Sequence, residues 1–512
     1  MKNNEPSSTS NPWVSRIAIF LGSNRFWYVT LGIFVFQTGW IALTTRYPMA
    51  FDEQFHFGII KLYAQHISPF WNGQPDGADQ FGAIARDPSY LYQYALSFPY
   101  RLISMLSSSE ATQVICLRLL NVTLLAGAVV VFRRILKQLG ASPTMRNVVM
   151  AFFILTPVVP LLGAQINYDN VVVLMTALAF TTFLCLREAS RVNNVWNWSL
   201  VIRLAIICMF ASLVKYAFLP LAAGLFVAVV FELRYTARQG NDIYPNIHIV
   251  KISKVAILYT ILMVVGLGLF SERYLVNIAK YHTPIPECNQ VLSIAQCQGY
   301  APWARNYTFA SYDIQLKTQQ IATYPFLWMS RALGETVFSI TSRFSANGTV
   351  DYYTTTQLPV PTVLSWSMFA GGGALALLNW RFIRRYTAFV VLLGIAGLYI
   401  LVLFAQNLLD YIHLGLPVAI HGRYLLPVLP LLYLAVAYGL KSTIEALSGT
   451  TAVAFKRKTV LAASLLIVFA IEGGGFVSPI INSHDDWFWP QSRPAQVANQ
   501  YVRDVLQYVV IR

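Results

Sequence analysis

Long apolar runs separated by short basic loops dominate this chain. They lie at Phe26–Thr45, Gln113–Phe132, Asn147–Ala164, Asn170–Leu186, Trp198–Leu213, Ala217–Leu233, Val255–Phe270, Thr362–Trp380, Thr387–Phe404, Leu425–Leu440 and Thr459–Phe476. Each is near the length that a helix needs to cross a bilayer. The pattern predicts an all-α integral membrane protein of about eleven transmembrane helices. Two further apolar stretches, Tyr90–Leu106 and Pro325–Ile340, are expected to lie at the interface or re-enter from an external loop. Counting the first as a span would put Arg133 outside, and counting the second would expose Arg381, Arg384 and Arg385. Pro99 and Arg101 also interrupt the first stretch.

Charge sets the orientation. Lys and Arg gather in short loops at Arg133, Arg134, Lys137 and Arg146, at Arg234, Arg238, Lys251 and Lys254, at Arg381–Arg385, and at Lys456–Lys458. This is the bias of cytoplasmic loops. Lys2, Arg16 and Arg25 place a segment 1–25 on the same side. No small-residue cleavage site follows a short apolar core there, so the first run is expected to remain as an anchor. The transmembrane domain then covers 26–476, with long external loops at about 46–112 and 271–361, and 477–512 forms an external tail.

Composition agrees with this class. Hydrophobic residues make up 56% of the chain, charged residues 12%, and the mean hydropathy is +0.53. The net charge of +15 sits in the loops just described, which argues against a nucleic-acid partner. Cys116, Cys185 and Cys208 fall in apolar runs and are expected as small buried hydrophobes. Cys288 and Cys297 share the second external loop, where an oxidising exterior would bridge them. Asn306-Tyr-Thr and Asn347-Gly-Thr match the short glycosylation pattern.

Candidate chemistry begins at Asp52-Glu53 with His56, just after the first run. A bilayer penalises carboxylates, so two at the mouth of a span point away from simple packing. If Asp52 caps a helix, His56 lies one turn later on the same face. Capping plus a surface histidine is the plainer alternative. The same side of the membrane gathers Lys61, Arg86, Asp87, Tyr90 and Tyr92, then Asn167, Asp169 and Asn170, then Lys215, and finally His421, Arg423 and Tyr424. Cations there would bind a phosphate and stabilise it as a leaving group, while one carboxylate takes a proton. The plainer alternatives are interface anchoring for Arg423, a hairpin tip for Lys215, a capping turn for Asn167–Asn170 and an aromatic belt for the tyrosines. The Glu53-x-x-His56 spacing occurs in carboxylate-bridged metal sites, but those need further ligands from other helices. No cofactor is therefore expected, and a divalent metal stays open but without support.

The order of these segments resembles the GT-C class of polytopic glycosyltransferases, which includes protein O-mannosyltransferases and lipid A aminoarabinose transferases. Asp52-Glu-Gln-Phe-His56 matches the acidic first-loop motif, and Arg86-Asp-Pro-Ser-Tyr-Leu-Tyr92 is similar to a Pro-Pro-Leu-Tyr-Tyr-like segment. Leu117-Arg-Leu119 resembles the Arg-Leu of the second span, and Ser212-Leu-Val-Lys-Tyr216 a Thr-Lys-Tyr-like turn. His421-Gly-Arg-Tyr-Leu-Leu-Pro427 is close to a Gln-Gly-Arg-Tyr-Leu-Leu-Pro element of a bacterial branch of the class. The match covers about residues 20–440, and order carries more weight than any single motif. His421 in place of Gln, and Asp87-Pro-Ser in place of paired prolines, prevent the substrate from being carried over.

The resemblance implies sugar transfer from a polyprenyl-phosphate donor to a hydroxyl of a glycan, lipid or protein. Transfer would be inverting, on the outer face of a bacterial plasma membrane. Asp52 would be the general base, with Glu53 binding or orienting the acceptor. Lys215 and Arg423 would hold the donor phosphate, and His56 would hydrogen-bond the phosphate or the sugar. Arg86, Asp87, Tyr92, Asn167, Asp169 and Tyr424 would complete the substrate site. The rivals are a transporter or lipid flippase, and a non-catalytic subunit of envelope assembly. Ion-coupled carriers place acidic residues mid-membrane, whereas these runs carry almost no Asp or Glu near their centres.

Overall fold

The structure is a computed structural model that describes residues 12–49, 51–193, 195–239, 254–312, 314, 316–337, 342–344, 350–352, 360–471, 473–482, 487–490 and 492–509. Asn347 and Lys251 lie outside them. Apart from one short antiparallel ladder, Ser342–Phe344 with Val350–Tyr352, and a single bridge between Thr45 and Phe488, the described secondary structure is helical.

In chain order α1 is Pro12–Gly22, α2 Asn24–Thr44, α3 Glu53–Ala64, α4 Leu91–Leu106, α5 Glu110–Gln138, α6 Pro143–Leu155, α7 Val158–Gly163, α8 Asp169–Arg191, α9 Trp198–Val214 and α10 Leu219–Arg238. Then follow α11 Lys254–Phe270, α12 Val276–Tyr281, α13 Cys288–Val291, α14 Ile294–Cys297, α15 Ala301–Ala310 and α16 Thr318–Ser330. The last group is α17 Val360–Leu378, α18 Trp380–Ile383, α19 Thr387–Leu414, α20 Leu429–Ala446, α21 Thr451–Ile471, α22 Val477–Asn482 and α23 Arg493–Val509.

Six helical stretches are long and apolar enough to cross a membrane: Asn24–Thr44, Glu110–Gln138, Asp169–Arg191, Tyr216–Arg238, Lys254–Tyr281 and Thr387–Leu414. Their outward faces carry large apolar side chains in the open, such as Phe36, Phe226, Val264 and Leu401. Water would penalise so much exposed apolar surface and lipid would not, so the protein is an integral membrane protein. Pro143–Leu155, Trp198–Val214 and Trp366–Leu378 are apolar but shorter.

The run expected as one span over Asn147–Ala164 is broken into α6 and α7 at Thr156-Pro157. Proline cannot donate to the ladder and pushes its predecessor out of the helical region. The freed carbonyls of Ile154 and Leu155 accept from Gln37 Nε2 (3.0 Å) and the Gly475 amide (2.6 Å), which tie α2 and the segment after α21 to the break.

The core is the packing of α5 on α8, α8 on α9, and α17 on α20. In the last pair a Cβ on Gly439 would meet the Ala376 backbone at 2.6 Å, so only glycine permits that approach. The stretch Tyr90–Leu106 holds α4, a helix through Pro99, which packs on α3. The Cys288–Cys297 disulfide is present and closes a small loop after α12. That loop seats Tyr300 against Phe55 of α3, with ring centroids 6.0 Å apart, and beside Gly82.

Candidate functional site

The ends of α3, α8, α9 and α20 meet at one end of the bundle, and the approach to α3 is unusual. Phe51 and Asp52 both have positive φ, 62° and 67°, and Asp52 makes no side-chain capping bond. The expected cap is therefore corrected: the first turn is closed by the Asp52 carbonyl, which accepts from the His56 amide at 3.0 Å, and the carboxylate is turned away. Left-handed backbone is uncommon for non-glycine residues and needs support from its surroundings. Asn167 supplies part of it, donating from Nδ2 to the Phe51 carbonyl at 2.7 Å.

Glu53 supplies the rest. Its side chain is fully buried, and Arg118 of α5 grips it through Nε (2.8 Å) and Nη2 (2.7 Å). The amides of Met49 (2.8 Å) and Ile166 (3.2 Å) also donate to it. Two oxygens with four donors have nothing left for an acceptor molecule. Glu53 is thus an anchor that fixes its neighbour, and Arg118, absent from the expected site, is the other half of that anchor. Its signals in the sequence were a charge near one end of an apolar run and the Leu117-Arg-Leu119 resemblance, neither of which gave it a partner.

Asp52 is 60% exposed and bonds Arg423 Nη2 through Oδ2 at 2.8 Å. Arg423 Nε lies 3.8 Å from Asp169 Oδ2, and Asp169 Oδ1 accepts from Lys215 Nζ at 2.6 Å. The result is a chain of alternating charge, Asp52–Arg423–Asp169–Lys215, drawn from four distant segments. Arg423, Asp169 and Lys215 expose only 5–8% of their side chains. Among the described residues Arg423 Nε and Nη1 and Asp169 Oδ2 have no hydrogen-bond partner. Buried charged groups with free valences are costly. Arg423 Nη1 therefore faces no protein acceptor among the described residues, and Nε only the distant Asp169 Oδ2, next to an exposed carboxylate.

Aromatic rings support the cations. Lys215 Nζ lies 4.5 Å from the Tyr168 ring and 4.3 Å from the Tyr424 ring, while the Arg423 guanidinium lies over Phe51 and Tyr424. Tyr168 and Phe51 are additions to the expected set. Asn167 forms the turn that starts α8, its Oδ1 accepting from the Asp169 amide at 2.9 Å, which leaves the Asp169 carboxylate for Lys215. Tyr92 donates to Asn121 at 2.9 Å and is buried.

His56 packs edge-on to Tyr168, with centroids 4.4 Å apart. The Gln93 amide donates to the carbonyls of Ser89 (3.1 Å) and Tyr90 (3.2 Å), so its oxygen faces His56 Nδ1 at 3.1 Å. This network assigns the proton to Nδ1 and leaves Nε2 as an acceptor. Burial lowers the His56 imidazole to about 4; the nearby Arg423 and Lys215 add to that, against the pull of Asp52 and Asp169. A neutral ring of this tautomer suits a hydroxyl donor better than a phosphate. His421 is lowered to about 3, again by burial first and then by Arg423. Partial loss of water to the groups crowded around it would raise Asp52 despite its open face, but the charge and hydrogen bond of Arg423, helped by the two histidines, hold its carboxyl at about 2.

Arg86 and Asp87 are employed elsewhere. Arg86 clasps the segment after α11 through Glu272 (2.9 Å) and Asn277 (3.0 Å). Asp87 accepts from the Ser89 amide at 2.8 Å, and burial raises its carboxyl. Among the described residues no group of three or more His, Cys, Asp and Glu side chains is placed to hold a metal ion.

No protein-family model matches the chain, and no curated protein matches it. Among solved structures it is similar to the Archaeoglobus fulgidus oligosaccharyltransferase tethered by a disulfide to an acceptor peptide containing the NVT sequon. That similarity has 12% identity and a TM-score of 0.34, over 83% of this chain and 55% of the other. The chain spans about half the length of that enzyme.

Proposed function

We propose that the protein is a membrane glycosyltransferase of GT-C type that moves a sugar from a polyprenyl-phosphate carrier to a hydroxyl of a glycan, lipid or protein. The observation that carries this reading is the exposed Asp52 carboxylate bonded to a buried arginine with unspent N–H groups. With 1–25 in the cytoplasm and about eleven crossings, the site faces the outside, where residues 46–112, 271–361 and 477–512 also lie.

The four charges of the resting chain cancel. A donor phosphate takes the free Nε and Nη1 of Arg423 and draws on Lys215. Arg423 then has less to give Asp52, so the carboxyl returns toward its ordinary range and becomes a better base. The acceptor oxygen attacks the anomeric carbon from the face opposite the phosphate. The carbon–oxygen bond to the phosphate breaks with its electron pair going to the phosphate oxygen, and the acceptor proton passes to Asp52. Configuration at that carbon inverts. Glu53–Arg118 and Asn167 hold Asp52 in place, and His56 Nε2 accepts from a sugar or acceptor hydroxyl.

Removing the charge at Arg423 or Lys215 is expected to weaken binding of a polyprenyl phosphate more than binding of acceptor, as a charge-assisted hydrogen bond contributes about 1.5–3 kcal/mol. If Arg423→Ala leaves polyprenyl-phosphate affinity unchanged, Arg423 is only an interface anchor and the reading fails.

A further inference from the structure

A cavity lies far from Asp52. It holds about 410 Å³ between α6, α20 and α21, with α1 and α17 at its margins. Its lining changes character in the same direction on three helices. On α6 it runs from Thr144 to Phe152, on α20 from Lys441 to Tyr433, and on α21 from Lys458 to Leu465. The polar member of each pair sits at the end of the bundle away from the charge chain. Lys441 lies twelve residues beyond the start of α20, and that helix begins six residues after Arg423. At 1.5 Å per residue this is about 18 Å along the helix.

The cleft is thus amphipathic along its length, with Lys441, Lys458, the carboxylate of Glu445 and hydroxyls at its mouth, a net single positive charge, and hydrocarbon at its floor. Lys458 is paired with Glu445 at 2.7 Å, whereas Lys441 has no carboxylate partner among the described residues and lies near the Phe382 ring. Between residues 441 and 458 there are four cations, Lys441, Lys456, Arg457 and Lys458, against one carboxylate, Glu445. Basic pockets between membrane helices select anionic head groups, and an apolar floor excludes a free phosphate as the natural occupant.

We infer that this cleft is a site for an anionic phospholipid, its phosphate held at Lys441 and Lys458 and one acyl chain laid between Phe152 and Leu465. The site is independent of the glycosyl-transfer reading, since it lies at the opposite end of the bundle and shares no residue with it.

The test uses the full chain in detergent, phosphatidylglycerol and phosphatidylcholine with identical acyl chains, glycerol 3-phosphate as a soluble probe, and native mass spectrometry as readout. One phosphatidylglycerol should be retained with about five-fold preference or more over phosphatidylcholine, as the net single positive charge of Lys441, Lys458 and Glu445 near a lipid phosphate predicts. Glycerol 3-phosphate at equal concentration should not displace it. Lys441→Gln should cut the preference about five-fold. Ala462→Trp, which fills the apolar floor, should lower retention of both lipids. Equal retention of the two lipids by the unaltered protein would overturn the inference whatever the variants do. So would displacement by glycerol 3-phosphate, or Lys441→Gln and Ala462→Trp proteins that retain lipid as the unaltered protein does.

Discussion

Replacing Asp52 by Asn separates the chemistry of that side chain from its structural setting. Asn tolerates the left-handed backbone found there, and no capping bond is lost because Asp52 makes none. What changes is charge. Transfer should fall by about 10²–10⁴-fold, the usual contribution of a general base. Donor affinity should move the other way. Arg423 loses a carboxylate competitor 2.8 Å away. With Asp52 60% exposed, that pair is screened by solvent and stabilises the resting site by only about 0.2–1 kcal/mol. Polyprenyl-phosphate binding should therefore tighten by up to about five-fold. Single-turnover transfer of a labelled sugar and equilibrium titration with polyprenyl phosphate measure the two effects on one preparation. An Asp52→Asn protein that turns over like wild type would remove Asp52 as the base. Weakened donor binding would refute the exchange of Arg423 between carboxylate and phosphate.

Arg118→Ala strands a fully buried Glu53 and should cost about 3–5 kcal/mol, seen as a large fall in melting temperature, while Glu53→Gln with Arg118→Met should recover part of it. His56, held near 4 against an ordinary 6.5, binds fewer protons when folded. Its contribution to stability is therefore full above pH 6.5 and lost as pH falls through about 4, so the difference in thermal stability between wild type and His56→Gln should shrink over that window. Single cysteines at Gly77 and Gln138 should react oppositely with an impermeant maleimide in intact cells, Gly77 labelled and Gln138 not; the reverse pattern would invert the topology.

Much of the site was legible because hydrocarbon makes charge conspicuous. Asp52, Asp169, Lys215 and Arg423 stand out as ionisable residues at the ends of apolar runs, and those four form the chain of charges. What stayed hidden is how they divide the work. Spacing cannot say that Asp52 sits in left-handed backbone and caps nothing, since that follows from Asn167 and Glu53 gripping segments far away in sequence. Glu53 and Asp52 look interchangeable as neighbours, yet one side chain is fully buried under four donors and the other is largely open. Resting cations already paired with carboxylates, and a histidine tautomer set by Gln93, are likewise products of tertiary contact. The break at Thr156-Pro157 was marked by its proline, but the length of the apolar run around it outweighed that signal.

The central claim is tested most directly by incubating the purified protein with radiolabelled polyprenyl-phosphate sugars and an envelope extract. Label should move from the lipid to a glycan, lipid or protein fraction with wild type, and fail to move with Asp52→Asn. Donors that stay intact across the panel with both proteins, in membranes where the wild type is folded and binds polyprenyl phosphate, would contradict glycosyl transfer.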